Sequence, residues 1–364
     1  MFELTNEQRK CFAIPPVLDT WKKTVVQRGP YDRYDTYAYL DGQRIMRIIQ
    51  VCDNDEKVKY REYSVDQLVS EDGTQLLPKT AKGKPQKFSA PYLERRTPVG
   101  MSLAFSRGGL SIYNNSCEQV YYCSTYESLQ METFEDFRKW INDWCSNTGE
   151  KELAEINEFA RKKKVHQKYR EGDFFRYKIN RYLYGYGRIL LDFDEMRKNG
   201  EKFWEIFMGK PLCVAIYHIA TENSDMTPEQ LSEIKLLPSQ MIMDNIFFYG
   251  ECEIIGNMTI TEREQDYPIH YGKSIDSCRP NCIHYQCGRV FVTLDNEKEL
   301  YDNFRNGGIG WGLDVTLPIL KECIAQNSNE PYWKKIAPWR TNHDLRNPKF
   351  KKELTEIKKQ MKIK

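Results

Sequence analysis

Apolar and polar residues alternate through Tyr169–Phe193, YREGDFFRYKINRYLYGYGRILLDF. Phe175, Tyr177 and Ile179 share one side and Arg176 and Lys178 the other, the period-2 pattern of a half-buried strand over Phe174–Ile179. A second strand is predicted over Tyr184–Phe193, with Gly185, Gly187, Ile189, Leu191 and Phe193 on one face. Two glycines on a strand face permit a sharp bend or a close backbone approach, as at a barrel corner.

The same reading gives strands upstream at Tyr34–Leu40 and Gln43–Val51, with Asp41-Gly42 as a tight hairpin turn. Lys57–Tyr63, Met101–Phe105, Leu110–Tyr113 and Gln119–Cys123 are further strands. The period then changes. Phe134, Phe137, Trp140, Ile141 and Trp144 recur at helical spacing behind Thr133, an N-cap residue. A second helix follows, with Asn147 as N-cap, Glu150 three residues on, and Leu153, Ile156, Phe159 and Ala160 as its apolar face. Downstream, Leu212–Ala220, Ile246–Ile255 and Arg289–Leu294 read as strands. Thr227-Pro228-Glu229-Gln230 opens a helix, and Leu317, Leu320, Cys323 and Ile324 mark another. The last helix opens at Asn347-Pro348, with Phe350, Leu354, Ile357 and Met361 as a stripe under a lysine-rich surface.

This pattern is α+β: two domains, each a mainly antiparallel sheet with packed helices, the C-terminal sheet open to closure as a partial barrel. The expected boundaries are an N-terminal domain over 1–147, a helical connector over 148–168, a second domain over 169–347 and a basic amphipathic helix over 348–364. At 364 residues, each domain has enough chain for its own core.

The strand-and-glycine motifs of the second half resemble the immunity protein 26 family of bacterial polymorphic-toxin systems. The resemblance rests on Glu171-Gly172-Asp173, the aromatic strand, Tyr184-Gly185-Tyr186-Gly187-Arg188 and the aliphatic strand after it. Phe247-Phe248-Tyr249-Gly250-Glu251 and Asn306-Gly307-Gly308-Ile309-Gly310-Trp311 extend it to about Asn347. It implies a bacterial cytoplasmic protein that binds a cognate toxin domain, with a nuclease as one toxin type, and neutralises it by occlusion. It implies no cofactor. The family is grouped with a phosphotriesterase, so a phosphate-ester hydrolase is the alternative, and a regulatory nucleic-acid binder is a second.

Charge narrows these readings. The net charge is +2, but residues 169–346 carry 21 basic and 26 acidic residues, whereas 347–364 carry 7 and 2. Acidic bias in the folded part is not the footprint of a nucleic-acid binder. Between Thr221 and Asp266, ten acidic residues face only Lys235 and Arg263. Glu251 and Glu253 beside Tyr249, with Tyr184 and Tyr186, are therefore the candidate toxin contacts. The basic loop with Lys79, Lys82 and Lys84 is a candidate phosphate contact. No apolar run reaches membrane-spanning length, and the start MFELTNEQRK lacks the apolar segment of a secretory signal.

Metal chemistry is poorly served. Cys278, Cys282, His284 and Cys287 lie close together, but a strand through Ile283–Gln286 throws Cys282 and His284 to one side and Cys287 to the other. Five histidines without a His-x-His pair do not match a metal-dependent phosphotriesterase. The 11 cysteines, odd in number and scattered, read as reduced thiols. No nucleophile elbow, zinc-protease helix, phosphate loop or dinucleotide fingerprint is present. Catalysis is thus the lesser expectation.

Overall fold

The computed structural model describes residues 2–26, 34–42, 44–53, 58–68, 81–84, 93, 97–198, 209–273, 281–304, 310, 312–326 and 344–363. The chain divides into two compact units, Met1–Val165 and His166–Lys364.

The first unit begins with helix α1 (Asn6–Lys10), capped by Thr5. A seven-stranded antiparallel meander follows: β1 (Lys22–Val26), β2 (Asp35–Asp41), β3 (Arg44–Asp53), β4 (Val58–Leu68), β5 (Val99–Ser106), β6 (Gly109–Asn114) and β7 (Gln119–Cys123). Spatial order equals sequence order, each strand pairing antiparallel with its predecessor. Asp41 pairs with Arg44, and Gly42 of the predicted hairpin turn stands at φ +56°. Helices α2 (Phe134–Ser146) and α3 (Glu150–Ala160) complete the unit.

Thr133 caps α2 as expected. Its hydroxyl accepts from Asp136 N at 3.1 Å, and the Asp136 carboxylate accepts from Thr133 N at 3.0 Å. The cap of α3 differs from the reading. Gly149 is its N-cap, with its N–H 2.9 Å from the Glu152 carboxylate, because Asn147 ends α2 by donating to Asp143 O. The predicted stripe faces the sheet. Phe137 and Ile141 are fully buried, and Phe137 stacks on Phe105 with centroids 4.5 Å apart. Ile156 of α3 lies fully buried in the same core.

In the second unit, β8 (Asp173–Lys178), β9 (Tyr184–Asp192), β10 (Pro211–Thr221), β11 (Gln240–Met243) and β12 (Glu253–Asn257) form an antiparallel sheet in the order β11-β10-β9-β8-β12. This is an open sheet, not a barrel. Helices α4 (Phe193–Lys198), α5 (Pro228–Ser232) and α6 (Asn245–Phe248) are short. A three-stranded sheet follows, β13 (Ile269–Lys273), β14 (Cys282–Cys287) and β15 (Val290–Asp295), and then α7 (Leu317–Gln326) and α8 (Lys351–Gln360). The stripe of α8 is apolar as read: Ile357 and Met361 are buried against Tyr271, Ile283 and Tyr285.

Two expectations change. Ile246–Ile255 is not one strand. Residues 245–248 form α6, Gly250 turns the chain at φ +74°, and β12 starts only at Glu253. The apolar run Ile246-Phe247-Phe248 suited either state, and the glycine decided it. The strand Tyr184–Asp192 is central, so both its faces are buried rather than one.

Candidate functional site

Glu171-Gly172-Asp173 is a knot that fixes one end of the five-stranded sheet. Gly172 sits at φ +80°, and a Cβ there would lie 2.3 Å from the Met258 carbonyl oxygen. Its N–H donates to Ile189 O at 2.9 Å, and its carbonyl accepts from Met258 N at 3.0 Å. Asn257 Nδ2 donates to Glu171 O and to the Asp173 carboxylate. The Glu171 carboxylate accepts from Asp192 N at 3.0 Å and pairs with Arg289 at 2.5 Å. The motif therefore ties β8, β9, β12 and the turn between β14 and β15 together.

The paired glycines solve a packing problem across the strands. Register sets Tyr177 opposite Gly185 and Phe175 opposite Gly187. A Cβ at Gly187 would lie 2.2 Å from the Phe175 ring and 2.7 Å from Ala215 O. One at Gly185 would lie 2.3 Å from the Tyr177 ring. Each aromatic ring occupies the space its facing residue leaves empty.

The sequence reading included Arg188 in the glycine motif but gave it no role. It is 1% exposed, its Nε lies 2.6 Å from Glu264, and Nη2 donates to Met258 O and Thr259 O. The guanidinium also lies 4.0 Å from the Phe174 ring centroid. A lone arginine inside an apolar strand was the available signal. Its pairing shows why the acidic run 221–266 is not one field. Glu264 is paired with Arg188, Asp266 with Arg346, and Asp244 accepts from the Tyr169 hydroxyl at 2.8 Å.

Three of the predicted contacts gather around Arg176. Its Nη2 is 2.6 Å from Glu253, and its guanidinium lies over the Tyr184 ring at 5.4 Å. Tyr186 is near but fully buried, with its hydroxyl donating to Asn223 O at 2.6 Å. Tyr249 and Glu251 belong to a different feature, the turn after α6. Gly250 N donates to Phe247 O, Cys252 N to Ile246 O, and Gln167 Nε2 to Cys252 O at 2.7 Å. Phe248, 37% exposed, meets the His166 ring at 4.1 Å and Tyr249 edge-on at 5.1 Å. Glu251 has no hydrogen bond or ion pair among the described residues. Burial alone pushes its carboxyl up to about 7, and the adjacent Cys252 thiol is raised by its own burial and then by Glu251.

Lys82 and Lys84 are exposed, whereas Lys79 lies outside the described residues. So does Cys278. Cys282 and His284 alternate with Cys287 along β14, and the described residues hold no group of three or more His, Cys, Asp or Glu placed for a metal ion. The ten described cysteines are free thiols. No helix among the described residues is long and apolar enough to cross a membrane.

Residues 170–281 match the family model described as immunity protein 26. The match begins in the Glu171 knot, contains β8 to β13, and stops before β14. No curated protein and no solved structure matches the chain.

Proposed function

We propose that this is an immunity protein that neutralises a cognate toxin in the cytoplasm by binding and covering it. The observation that carries the reading is the match of residues 170–281 to immunity protein 26. The toxin contact is proposed at the Tyr249–Glu251 turn, with Tyr184 and Glu253 as a second, outer patch. Glu251 is the stronger of the two acids, because Glu253 already has Arg176 as its partner. A basic cleft, as in a nuclease toxin, would supply the cation that Glu251 lacks. Tyr186, being fully buried, supports this surface from beneath.

The test is co-purification and protection against the toxin domain encoded beside this protein. Stable capture and loss of toxicity are expected. A toxin that remains active and unbound in the presence of excess protein overturns the proposal. Within a confirmed complex, Glu251→Gln should cost about 2–5 kcal/mol of affinity, the range for losing a desolvated charge pair.

A further inference from the structure

Two arginines of the second unit each meet a carboxylate and an aromatic ring together. Arg188 pairs with Glu264 at 2.6 Å while its guanidinium lies 4.0 Å from the Phe174 ring centroid. Arg176 pairs with Glu253 at 2.6 Å while its guanidinium lies 5.4 Å from the Tyr184 ring centroid. The chemistry of the guanidinium explains the recurrence. Its planar fork of donors fits a carboxylate, its flat face lies on a ring, and it holds water more weakly than an ammonium. The Arg188 set is buried, whereas Glu253 of the Arg176 set is exposed, so the arrangement serves at both depths.

The turn after α6 has the acid and the ring without the arginine. Phe248 is exposed, and Glu251, half-buried and without a hydrogen bond or ion pair among the described residues, follows on the same turn. The turn is held in one shape. Gly250 N donates to Phe247 O at 2.9 Å, and Cys252 N to Ile246 O at 2.8 Å. The segment His166–Tyr169 braces it. Gln167 Nε2 donates to Cys252 O at 2.7 Å, the Tyr169 hydroxyl donates to the Asp244 carboxylate at 2.8 Å, and the His166 ring lies 4.1 Å from the Phe248 ring. A surface fixed before its partner arrives loses less freedom on binding. Attraction to a cation is stronger at a half-buried carboxylate than at one in open water. A guanidinium, being weakly hydrated, reaches such a place at a lower desolvation cost than an ammonium.

We propose that the Phe248–Glu251 turn receives an arginine side chain of the partner, its guanidinium paired with Glu251 and laid against the Phe248 ring. This rests on the toxin-binding reading and names the group that the toxin brings to the site. The test is a double-mutant cycle between the full chain and the toxin domain encoded beside it, read as dissociation constants. Each arginine and lysine of the toxin domain is changed to Gln in turn, and each arginine also to Lys. One arginine should couple to Glu251. Its change to Lys should weaken binding about tenfold or more to the unaltered protein, and by less than about twofold to Glu251→Gln. Phe248→Leu keeps apolar bulk but removes the π face, and should weaken binding about threefold or more. A captured toxin with no arginine coupled to Glu251, or with a lysine coupled in its place, overturns the proposal and leaves the toxin-binding reading standing. Unchanged affinity in Phe248→Leu would overturn it as well. A toxin that is not captured at all overturns both.

Discussion

Glu62 in the first unit is a fully buried carboxyl and Glu251 in the second a half-buried one, and their surroundings are opposite. Glu62 is fully buried between two guanidiniums: Arg9 Nε at 2.7 Å and Arg47 Nη1 at 2.8 Å. The Tyr60 hydroxyl donates to its other oxygen at 2.5 Å, and burial with Glu62 alongside holds that phenol well above its ordinary range. Arg9 reaches on to Glu3, and Arg47 donates to Pro15 O. Lys23 also pairs with Glu3 at 2.6 Å, so each acid faces two bases, and the network fastens the segment carrying Glu3, Arg9 and Pro15 to β3 and β4. Glu251 has no such partners. A compensated buried carboxylate acts as structure, whereas an uncompensated one lowers stability and leaves an electrostatic vacancy for a partner to fill.

The largest expected effect breaks the compensated side. Glu62→Gln leaves two buried guanidiniums without their shared counter-ion. The expected loss is about 3–5 kcal/mol, read by urea unfolding of the full chain. A loss below about 1 kcal/mol would mean that water or repacking replaces the carboxylate, and the contrast with Glu251 would fail.

Next comes Gly187→Ala, which tests whether the second unit rests on shape instead of charge. The new methyl would meet the Phe175 ring and, more seriously, the Ala215 carbonyl oxygen. Backbone on the adjacent strand yields poorly, so a destabilisation of about 3 kcal/mol is expected, at the upper end for overpacking. A melting temperature equal to that of the unaltered protein would show that the two strands can separate at no cost.

Glu251→Gln should act in the opposite direction and only above a certain pH. The folded carboxyl is raised from 4.5 to about 7. Below about 4.5 the group is protonated in both folded and unfolded chains, and no stability difference arises. As pH rises from there to about 7, the unfolded chain ionises first, and stability falls. Above about 7 the whole cost is present. The variant is expected to be more stable by about 2 kcal/mol at pH 8, a figure reduced for residual solvent contact, and equal at pH 4. Thermal melts at both pH values check this. Equal melting at pH 8 would place Glu251 in ordinary solvation and remove the vacancy.

The contrast between the two carboxyls was not legible in the sequence, although much of their framework was. Alternation in 34–51 and 99–123 located the meander, because each of those strands pairs with a near neighbour in sequence. Helix α2 was readable for the same reason: its cap and its stripe are both local. The Arg9–Glu62 pair spans 53 residues, and no local period encodes a partner at that distance. Glu251 stands in a segment that read as a strand, and only the turn at Gly250 separates it from β12. Glycines 185 and 187 were recognised as allowing close approach, but the ring filling each gap comes from the neighbouring strand, which register alone identifies. Gly172 and Gly187, both inside the span that matches immunity protein 26, do architectural work in this structure.

The smallest expected effect sharpens the comparison from its exposed end. Glu253 pairs with Arg176 at 2.6 Å, much as Glu62 pairs with Arg9, but its side chain is 57% exposed. Distance alone would rank the two interactions together; solvent separates them. Water and salt screen the Glu253 charge before and after folding, so most of the attraction is already balanced by hydration. Arg176 also keeps other partners, the Ser224 carbonyl and the Tyr184 ring. Glu253→Gln is therefore expected to change unfolding free energy by less than about 1 kcal/mol. The difference should vanish in about 1 M salt, where screening acts over about 3 Å. In the proposed toxin complex the same substitution should slow association, most visibly at low salt, and leave dissociation nearly unchanged. Glu251→Gln should show the reverse, with faster dissociation. Stopped-flow association and dissociation rates at two salt concentrations separate the cases. If both variants changed only the association rate, Glu251 would be a rim charge like Glu253, and its lack of a partner would have no part in binding.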